Sequence, residues 1–293
     1  MNNARTTLIL VMCLFGSIGI FVRNINLSSS QIALARGTIG SLVLLFATLT
    51  GKQHISWKAV KPNFLLLLLS GMAIGFNWLF LFEAYKYTSI ANATLSYYFA
   101  PIFVMLLSAP LLKERLNISK LLSITIAMLG MFLIVGSTHR AVQTEHLIGI
   151  GYGLLAAALY AAVILMNKFI KGLSGLETTL IQLAAASCVL FPYVNKTSGI
   201  NLTPLDGKSL ALLLVVGIVH TGLAYLLYFS SLRKLPGQSI AVLSYIDPFS
   251  AILMSSLFLG ERMSVVQAVG GFLILGATFL SEYDKVKYKL DQY

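Results

Sequence analysis

Charged residues are scarce in this sequence, and that scarcity excludes most soluble folds. Only 11% of its 293 residues are Asp, Glu, Lys or Arg, whereas 57% are hydrophobic and the mean hydropathy is +0.84. A water-soluble domain carries about 25% charged residues. Most of the chain must therefore be surrounded by lipid rather than by water.

Cysteine is also scarce, and the residues that bind metals or phosphates form no motif. The two cysteines, Cys13 and Cys188, lie inside apolar runs and have neither metal-site spacing nor a disulfide framework. The four histidines lack metal-ligand or acid–base spacing, and no glycine-rich phosphate loop occurs. These absences argue against a metalloprotein, a built-in ATPase and a membrane-embedded enzyme. We therefore expect no cofactor, no metal and no catalytic residues.

Lysine and arginine outnumber the acidic residues, which gives a net charge of +11. A nucleic-acid-binding protein would gather such residues on one water-facing surface. Here they occur in short clumps between apolar runs, where membrane proteins carry their topology signals. We expect the lipid bilayer and a small-molecule substrate as partners, and no nucleic acid. The sequence leaves the oligomeric state open, and a monomer is compatible with it.

The apolar runs predict ten transmembrane helices. Each is near the ~20 residues that a ~30 Å hydrocarbon layer requires. The first run is too long for the core of a cleavable signal peptide, so it is counted as a span. The predicted spans are residues 6–23, 29–49, 64–86, 90–112, 118–136, 147–169, 177–195, 209–232, 237–259 and 264–282.

The region around the fourth predicted span recurs around the ninth, which indicates a duplicated unit. The predicted units are residues 1–140 and 147–283, followed by a charged cytoplasmic tail at 284–293. Each unit holds five spans, an odd number, so the second copy enters the membrane inverted. The predicted fold class is an all-α integral membrane protein with ten transmembrane helices in two inverted five-helix repeats. Four identities share one separation of 147 residues: Tyr98 with Tyr245, Pro101 with Pro248, Glu114 with Glu261, and Arg115 with Arg262.

The distribution of Lys and Arg predicts the orientation of the chain. Fourteen of them fall on the side that holds the N-terminus, six fall on the other side, and Arg36 lies within a span. Lys and Arg accumulate in cytoplasmic connections. We expect a multi-pass protein of the cell membrane with both termini in the cytoplasm.

Polar groups deep in the spans are the candidates for substrate binding. Burying such groups in the membrane costs free energy, so those that occur there are more often functional. At a rise of ~1.5 Å per residue, five of them from five helices lie about 11 to 18 Å below the outer edge. Aromatic residues surround this layer, as in small-molecule pockets. The predicted substrate-binding residues are Arg36, Asn77, Trp78, Tyr98, Tyr160, His220, Tyr225, Tyr245 and Asp247.

Each candidate also has a simpler interpretation. The aromatic residues can serve packing or the membrane interface, His220 an internal hydrogen bond, and Asn77 a helix–helix contact. Arg36 and Asp247 are the opposite charges deep in the predicted spans. They either pair directly in at least one transport state, or hold the two ends of a zwitterionic substrate, or Asp247 takes a proton as a coupling step.

Four further residues are predicted to act structurally. Pro101 and Pro248 lack a backbone N–H, so each frees a carbonyl four residues earlier and is predicted to bend its helix towards an inter-repeat cavity; a plain packing kink is the alternative. Glu114 and Glu261 end their spans and are predicted to fix the hairpin to the next helix.

Several stretches resemble the EamA-type ten-helix carriers of the drug/metabolite transporter superfamily. They are Phe82 to Thr88 (FEAYKYT), the hairpins Pro101 to Arg115 and Pro248 to Arg262, each ending in Leu-x-Glu-Arg, and the opening Leu14 to Ser17. Where the family pattern often has Trp-Gly, this chain has Phe15-Gly16. The resemblance implies two inverted repeats, a central cavity lined by spans one, three, four, six, eight and nine, and frequent roles in exporting amino acids or other metabolites.

The resemblance and the buried polar layer together predict a secondary transporter that exports small metabolites such as amino acids. Superfamily members that exchange nucleotide sugars or sugar phosphates would favour several buried cations, whereas Arg36 stands nearly alone here. A neutral or zwitterionic solute is therefore expected. The alternatives are a proton-coupled importer of such a solute and, from another class, a non-transporting membrane scaffold or sensor.

Overall fold

The computed structural model describes residues 2–22, 24–51, 55–88, 90–114, 118–135, 144–199, 205–259, 265–266 and 268–277. Within these ranges the chain forms helices and short connections, with no strand. The helices are α1 (Asn2–Val22), α2 (Ser29–Thr50), α3 (Trp57–Tyr87), α4 (Ile90–Tyr97), α5 (Ala100–Leu112), α6 (Ile118–Val135), α7 (Thr144–Phe169), α8 (Gly175–Thr197), α9 (Gly207–Val215), the π-helical segment π1 (Val216–Leu223), α10 (Ala224–Leu232), α11 (Gly237–Leu243), α12 (Ile246–Leu259) and α13 (Ala268–Ala277).

Six of these helices are long and apolar enough to cross a membrane, counting α9, π1 and α10 as the one continuous helix Gly207–Leu232. Shorter apolar helices are Ala100–Leu112, Ile118–Leu133 and Ala268–Ala277. The fourth and ninth predicted spans are each divided into two short helices, α4 with α5 and α11 with α12. The predicted tail 284–293 and Glu261 lie outside the described residues.

Capping side chains explain where two of the helices begin. The Ser28 hydroxyl accepts a hydrogen bond from the Gln31 amide, and the Gln31 side chain accepts one from the Ser28 amide. Ser174 and Glu177 form the same reciprocal capping box ahead of α8. Each box satisfies two amides that the first helical turn would leave without partners.

The helices pack as a bundle whose outer surface is apolar. Helix α1 packs against α12 and α10, α3 packs against α7 and α8, and α2 packs against α8 and π1. Large side chains that face outwards include Phe46, Leu49, Phe258 and Phe272, each at least two thirds exposed. A soluble monomer does not present so much apolar surface, whereas contact with lipid accounts for it.

Glycines allow the closest helix contacts. A Cβ atom on Gly16 of α1 would lie 2.7 Å from the Ala251 nitrogen and 2.7 Å from the Asp247 carbonyl oxygen of α12. On α3, a Cβ on Gly71 would lie 2.7 Å from the Gln182 carbonyl oxygen of α8. Small residues at such crossings let backbones approach and drive helix association in membranes.

Polar contacts join distant parts of the chain at the end of the bundle where α3, α8 and α11 begin. The Glu114 carboxylate accepts hydrogen bonds from the amides of Gly237 (2.8 Å) and Gln238 (3.3 Å), at the start of α11. The Glu177 carboxylate accepts one from the Ser56 amide at 2.7 Å, just before α3. Glu114 thus contacts a helix more than a hundred residues away. Its predicted contact with the next helix in the chain stays a prediction.

The close contact between α1 and α12 gives a first test. We expect Gly16→Ala to destabilise the protein by about 1–3 kcal/mol, because the added methyl group must push two backbones apart. Gly19→Ala in the same helix is the matched control, since a Cβ there meets nothing within 4 Å; its effect should stay within about 0.5 kcal/mol. Thermal unfolding of the purified variants in detergent measures both, and equal stability of the two would contradict the predicted backbone contact.

Candidate functional site

A cavity of about 460 Å³ lies inside the bundle. Its wall on α1 extends from Met12 to Gly19, and its wall on α3 includes Trp78 and Leu81. It is therefore displaced towards the end of the bundle where α1 and α3 finish, away from the Glu114 contacts. Seven of the nine predicted binding residues line it: Arg36, Trp78, Tyr98, Tyr160, His220, Tyr225 and Asp247.

Arg36 is held on one wall by an aromatic ring. Its guanidinium carbon lies 4.2 Å from the centroid of the Trp78 ring, which is a cation–π contact. The Trp78 ring in turn meets the Tyr225 ring edge-on, with 6.0 Å between the centroids. The buried Nε of Arg36 has no hydrogen-bond partner among the described residues. The cation is thus oriented by a ring face and has no counterion in the part of the chain that the structure describes.

Asp247 belongs to another wall, in the first turn of α12. Its carboxylate lies beside the side chain of Tyr98, from the connection between α4 and α5. A helix N-terminus carries partial positive charge, which also favours an anion there. Among the described residues no ion pair joins Asp247 to Arg36, so the two opposite charges are separate in this structure. The hypothesis that they pair in some other transport state stays a prediction.

His220 lies in the π-helical segment and is only 2% exposed. Its Nε2 is 3.0 Å from the Ser17 hydroxyl of α1, and its ring lies 4.7 Å from the Phe21 ring. π-Helical turns occur frequently at functional sites because they redirect side chains. Close packing accompanies this one, since a Cβ on Gly217 would lie 2.6 Å from Ile39 of α2.

Two predicted binding residues lie behind the cavity wall instead of on it. Asn77 donates a hydrogen bond to the Ala156 carbonyl at 2.7 Å, which joins α3 to α7. Tyr245 is fully buried, and its hydroxyl donates to the Tyr98 carbonyl at 3.1 Å. Asn77 therefore makes the helix–helix contact that was its alternative interpretation, and Tyr245 supports Tyr98.

The helix breaks place both prolines in the first turn of a new helix. Pro101 follows Ala100, the first residue of α5, and lines the cavity, while Pro248 is the third residue of α12. Proline suits this position because the first helical amides need no intrahelical partner. The sequence predicted a bend within a continuous helix, whereas the structure has a break of two residues ahead of each proline.

Sequence reasoning missed several features of the site. Tyr97, Tyr228 and Phe15 were not among the predicted binding residues, yet all three are on the wall. The hydroxyls of Tyr160 and Tyr228 lie 2.6 Å apart, and their rings are stacked with 9° between the planes. Phe15 lies within the Leu14 to Ser17 motif, so that motif could have identified it as a cavity residue. No sequence signal marked the π-helical segment.

The chemistry of the wall suits binding better than bond-breaking. One cation, one carboxylate and one buried imidazole are spread over different helices, with aromatic rings between them. Among the described residues no group of three His, Cys, Asp or Glu side chains is placed to hold a metal ion. A cavity with these walls can hold a small solute that has a flat or apolar body and charged or polar ends.

Comparison with known proteins gives consistent matches over nearly the whole chain. The profile of the EamA-like transporter family matches residues 4–136 and again residues 147–283. The uncharacterized transporter YxxF of Bacillus subtilis is 33% identical over 281 residues, which cover 96% of this chain and 89% of that protein. The riboflavin transporter ImpX of Fusobacterium nucleatum is 27% identical over 80% of this chain and 82% of its own length.

A solved crystal structure also has the same fold. It superposes with a TM-score of 0.85 over 95% of this chain and 96% of that chain, at 16% sequence identity. At so low an identity the likeness concerns the fold alone.

The separation of Arg36 from Asp247 gives a second test. Arg36→Met removes a charge that has no ion-pair partner among the described residues. We therefore expect the free energy of unfolding to change by less than about 1 kcal/mol, the size of the cation–π contact that is lost. If the two residues were paired, removing one partner would cost about 3–5 kcal/mol. Thermal unfolding of Arg36→Met and Asp247→Asn in detergent separates the two outcomes.

Proposed function

The chain belongs to the EamA-like transporter family, and on this premise we propose that it is a secondary carrier that exports a small zwitterionic metabolite, such as an amino acid, by alternating access. It is a multi-pass membrane transporter with a small-molecule substrate. The observation that carries the finer proposal is the cavity with Arg36 and Asp247 on separate walls and aromatic rings between them. Arg36 would bind the carboxylate of the solute and Asp247 its ammonium group.

The proposed architecture is ten spans in two inverted repeats, residues 1–140 and 147–283, with α4–α5 and α11–α12 as broken spans. Contacts between residues 147 apart support it. The Tyr98 and Tyr245 rings stack at 6.4 Å, and Trp78 meets Tyr225 at 6.0 Å. Equivalent residues of two repeats touch each other only where they lie on the two-fold axis that relates the repeats. Both pairs are therefore expected on that axis, beside the cavity.

The packing of the helices supports the same proposal. If α1 corresponds to α7 and α12 to α5, the contact of α1 with α12 has its counterpart in the contact of α7 with α5. The contact of α3 with α8 has its counterpart in that of π1 with α2. Inverted repeats of this kind place the substrate site where the two halves meet.

The charged groups of the cavity do not follow this symmetry. The residues 147 positions before Asp247 and His220 are Ala100 and Ala73. The cavity thus has a fixed polarity, so a zwitterion would bind in one orientation whichever side it enters from. This asymmetry favours a dipolar solute over a symmetrical one.

A second candidate is an importer of a neutral planar solute. The aromatic wall favours it, since rings such as Phe15, Trp78 and Tyr225 offer faces and edges to a flat solute. A relative is named a riboflavin transporter. A non-transporting scaffold has less support, because it gains nothing from a charged interior cavity.

Solute exchange tests the proposed function. In liposomes that contain the purified protein and an unlabelled solute, we expect labelled amino acids of at least one type to enter by counterflow. Arg36→Met should abolish this exchange, because the carboxylate of the solute loses its cation. Lys58→Met is the matched control, since Lys58 is exposed and outside the cavity. Flux of riboflavin but of no amino acid would favour the second candidate, and no flux across a broad panel would favour the scaffold.

The predicted topology has a separate test. With both termini in the cytoplasm of a cell-membrane protein, Lys61 faces inwards and Lys208 faces outwards, and both side chains are exposed. In a background with Cys13 and Cys188 replaced by alanine, an impermeant thiol reagent should label Lys208→Cys in intact cells. It should label Lys61→Cys only after the cells are opened. The reverse pattern would invert the orientation, and equal labelling in intact cells would contradict the spans between them.

A further inference from the structure

We propose that Asp247 is the coupling site of this carrier, where a proton and the cationic group of the substrate exclude one another. The inference rests on the proposed function and adds to it the ion that is exchanged. It begins from a difference between the two charged residues of the cavity. Arg36 has the face of the Trp78 ring at 4.2 Å, whereas no cation lies within ion-pair distance of Asp247 among the described residues.

Among the described residues, no group that faces Asp247 forms an ion pair with it. Arg36 on α2 and His220 on π1 are across the same cavity, and neither forms an ion pair with the carboxylate. The neighbouring Tyr98 hydroxyl and the N-terminus of α12 favour the carboxylate, but neither supplies a full positive charge. The other titratable groups that surround it are Cys13 of α1, Tyr97 of α4, Tyr98 of the α4–α5 connection, Tyr160 of α7, and Tyr225 and Tyr228 of α10.

A carboxylate in such surroundings is neutralised by taking a proton. Asp247 lies on the cavity wall and is partly exposed to it, so water in the cavity can deliver that proton. The Tyr98 hydroxyl and the helix N-terminus both stabilise the anionic form of Asp247, so the proton can also leave. A site that is both reachable and short of a counterion suits reversible exchange.

The exchange step follows from the two partners that Asp247 can have. When a substrate ammonium group arrives, the O–H bond of the protonated carboxyl group breaks and the proton passes to cavity water. The ammonium N–H groups then donate to the carboxylate oxygens, and Arg36 keeps its charge and binds the substrate carboxylate. One proton is released for each substrate bound. Export of a zwitterion is thereby coupled to entry of one proton, and one positive charge moves inwards per cycle.

Infrared spectroscopy of the empty protein tests the proton site without any substrate. We expect the full chain in liposomes to show the carbonyl band of a protonated carboxyl group in mildly acidic buffer and to lose it in alkaline buffer. Asp247→Asn should remove this band. Glu83→Gln is the matched control, because Glu83 is paired with Lys86 at 2.6 Å outside the cavity. The Glu83→Gln variant should keep the band of the protonated Asp247 carboxyl group. A band that persists in Asp247→Asn, or no band in the wild type, would overturn the proposal.

Isotope labelling keeps the test valid if Asp247→Asn does not fold. The sequence has four aspartates, Asp206, Asp247, Asp284 and Asp291, and none of the others falls in a predicted span. Wild-type protein labelled with 13C-aspartate should therefore show the band at lower frequency. A band that does not move belongs to a glutamate and contradicts the proposal.

Coupling itself is measured with a pH-sensitive dye inside the liposomes. For an amino acid that exchanges in the counterflow assay, we expect uptake into wild-type liposomes to be accompanied by proton release, at about one proton per solute. Asp247→Asn should show no proton movement. If the wild type transports the solute with no proton movement while the Asp247 band is present, Asp247 binds a proton but does not couple, and the proposal fails. If no solute is transported, the proposed function fails, and the infrared result still decides the proton site.

Discussion

Hydrocarbon offers no water to a backbone amide or carbonyl, and this constraint governs where the chain departs from straight helices. The two breaks, at residues 98–99 and 244–245, lie beside the cavity. A side chain satisfies one of the carbonyls that the first break frees, because the Tyr245 hydroxyl donates to the Tyr98 carbonyl. Because the second break starts a new helix, it brings the first turn of α12, and with it Asp247, to the cavity wall.

The same constraint explains why the cavity can hold charge. Arg36, Asp247 and His220 are each supported by a group of a different kind: a ring face for Arg36, a phenol and a helix N-terminus for Asp247, and a serine hydroxyl for His220. None of these supports is a counterion. Each charged side chain of the cavity is thus stabilised without a counterion from these supporting groups. A solute that enters the cavity can supply the opposite charge.

The sequence predicted the positions of the helices better than which side chains of each helix face the cavity. Apolar runs located α2 and α7 almost to the residue, because span length is set by the bilayer. Depth along a helix follows from its fixed rise, so residues from five helices were assigned to one layer. The direction in which a side chain points around the helix axis cannot be derived in this way. Asn77 is adjacent to Trp78 in the sequence, but it contacts α7 instead of lining the cavity. The π-helical segment and the partner of Glu114 depend on contacts between distant residues, which one sequence does not reveal.

Glu114 has a consequence for the energetics of the empty protein. Its carboxylate takes its two amide donors from α11 in the other half of the chain. In the proposed alternating-access cycle these hydrogen bonds would last only while that end of the bundle stays shut, so they would set part of the population ratio between the two conformations. A solute that binds from the shut side would then meet only molecules in the other conformation, and its apparent affinity would fall in proportion to their fraction.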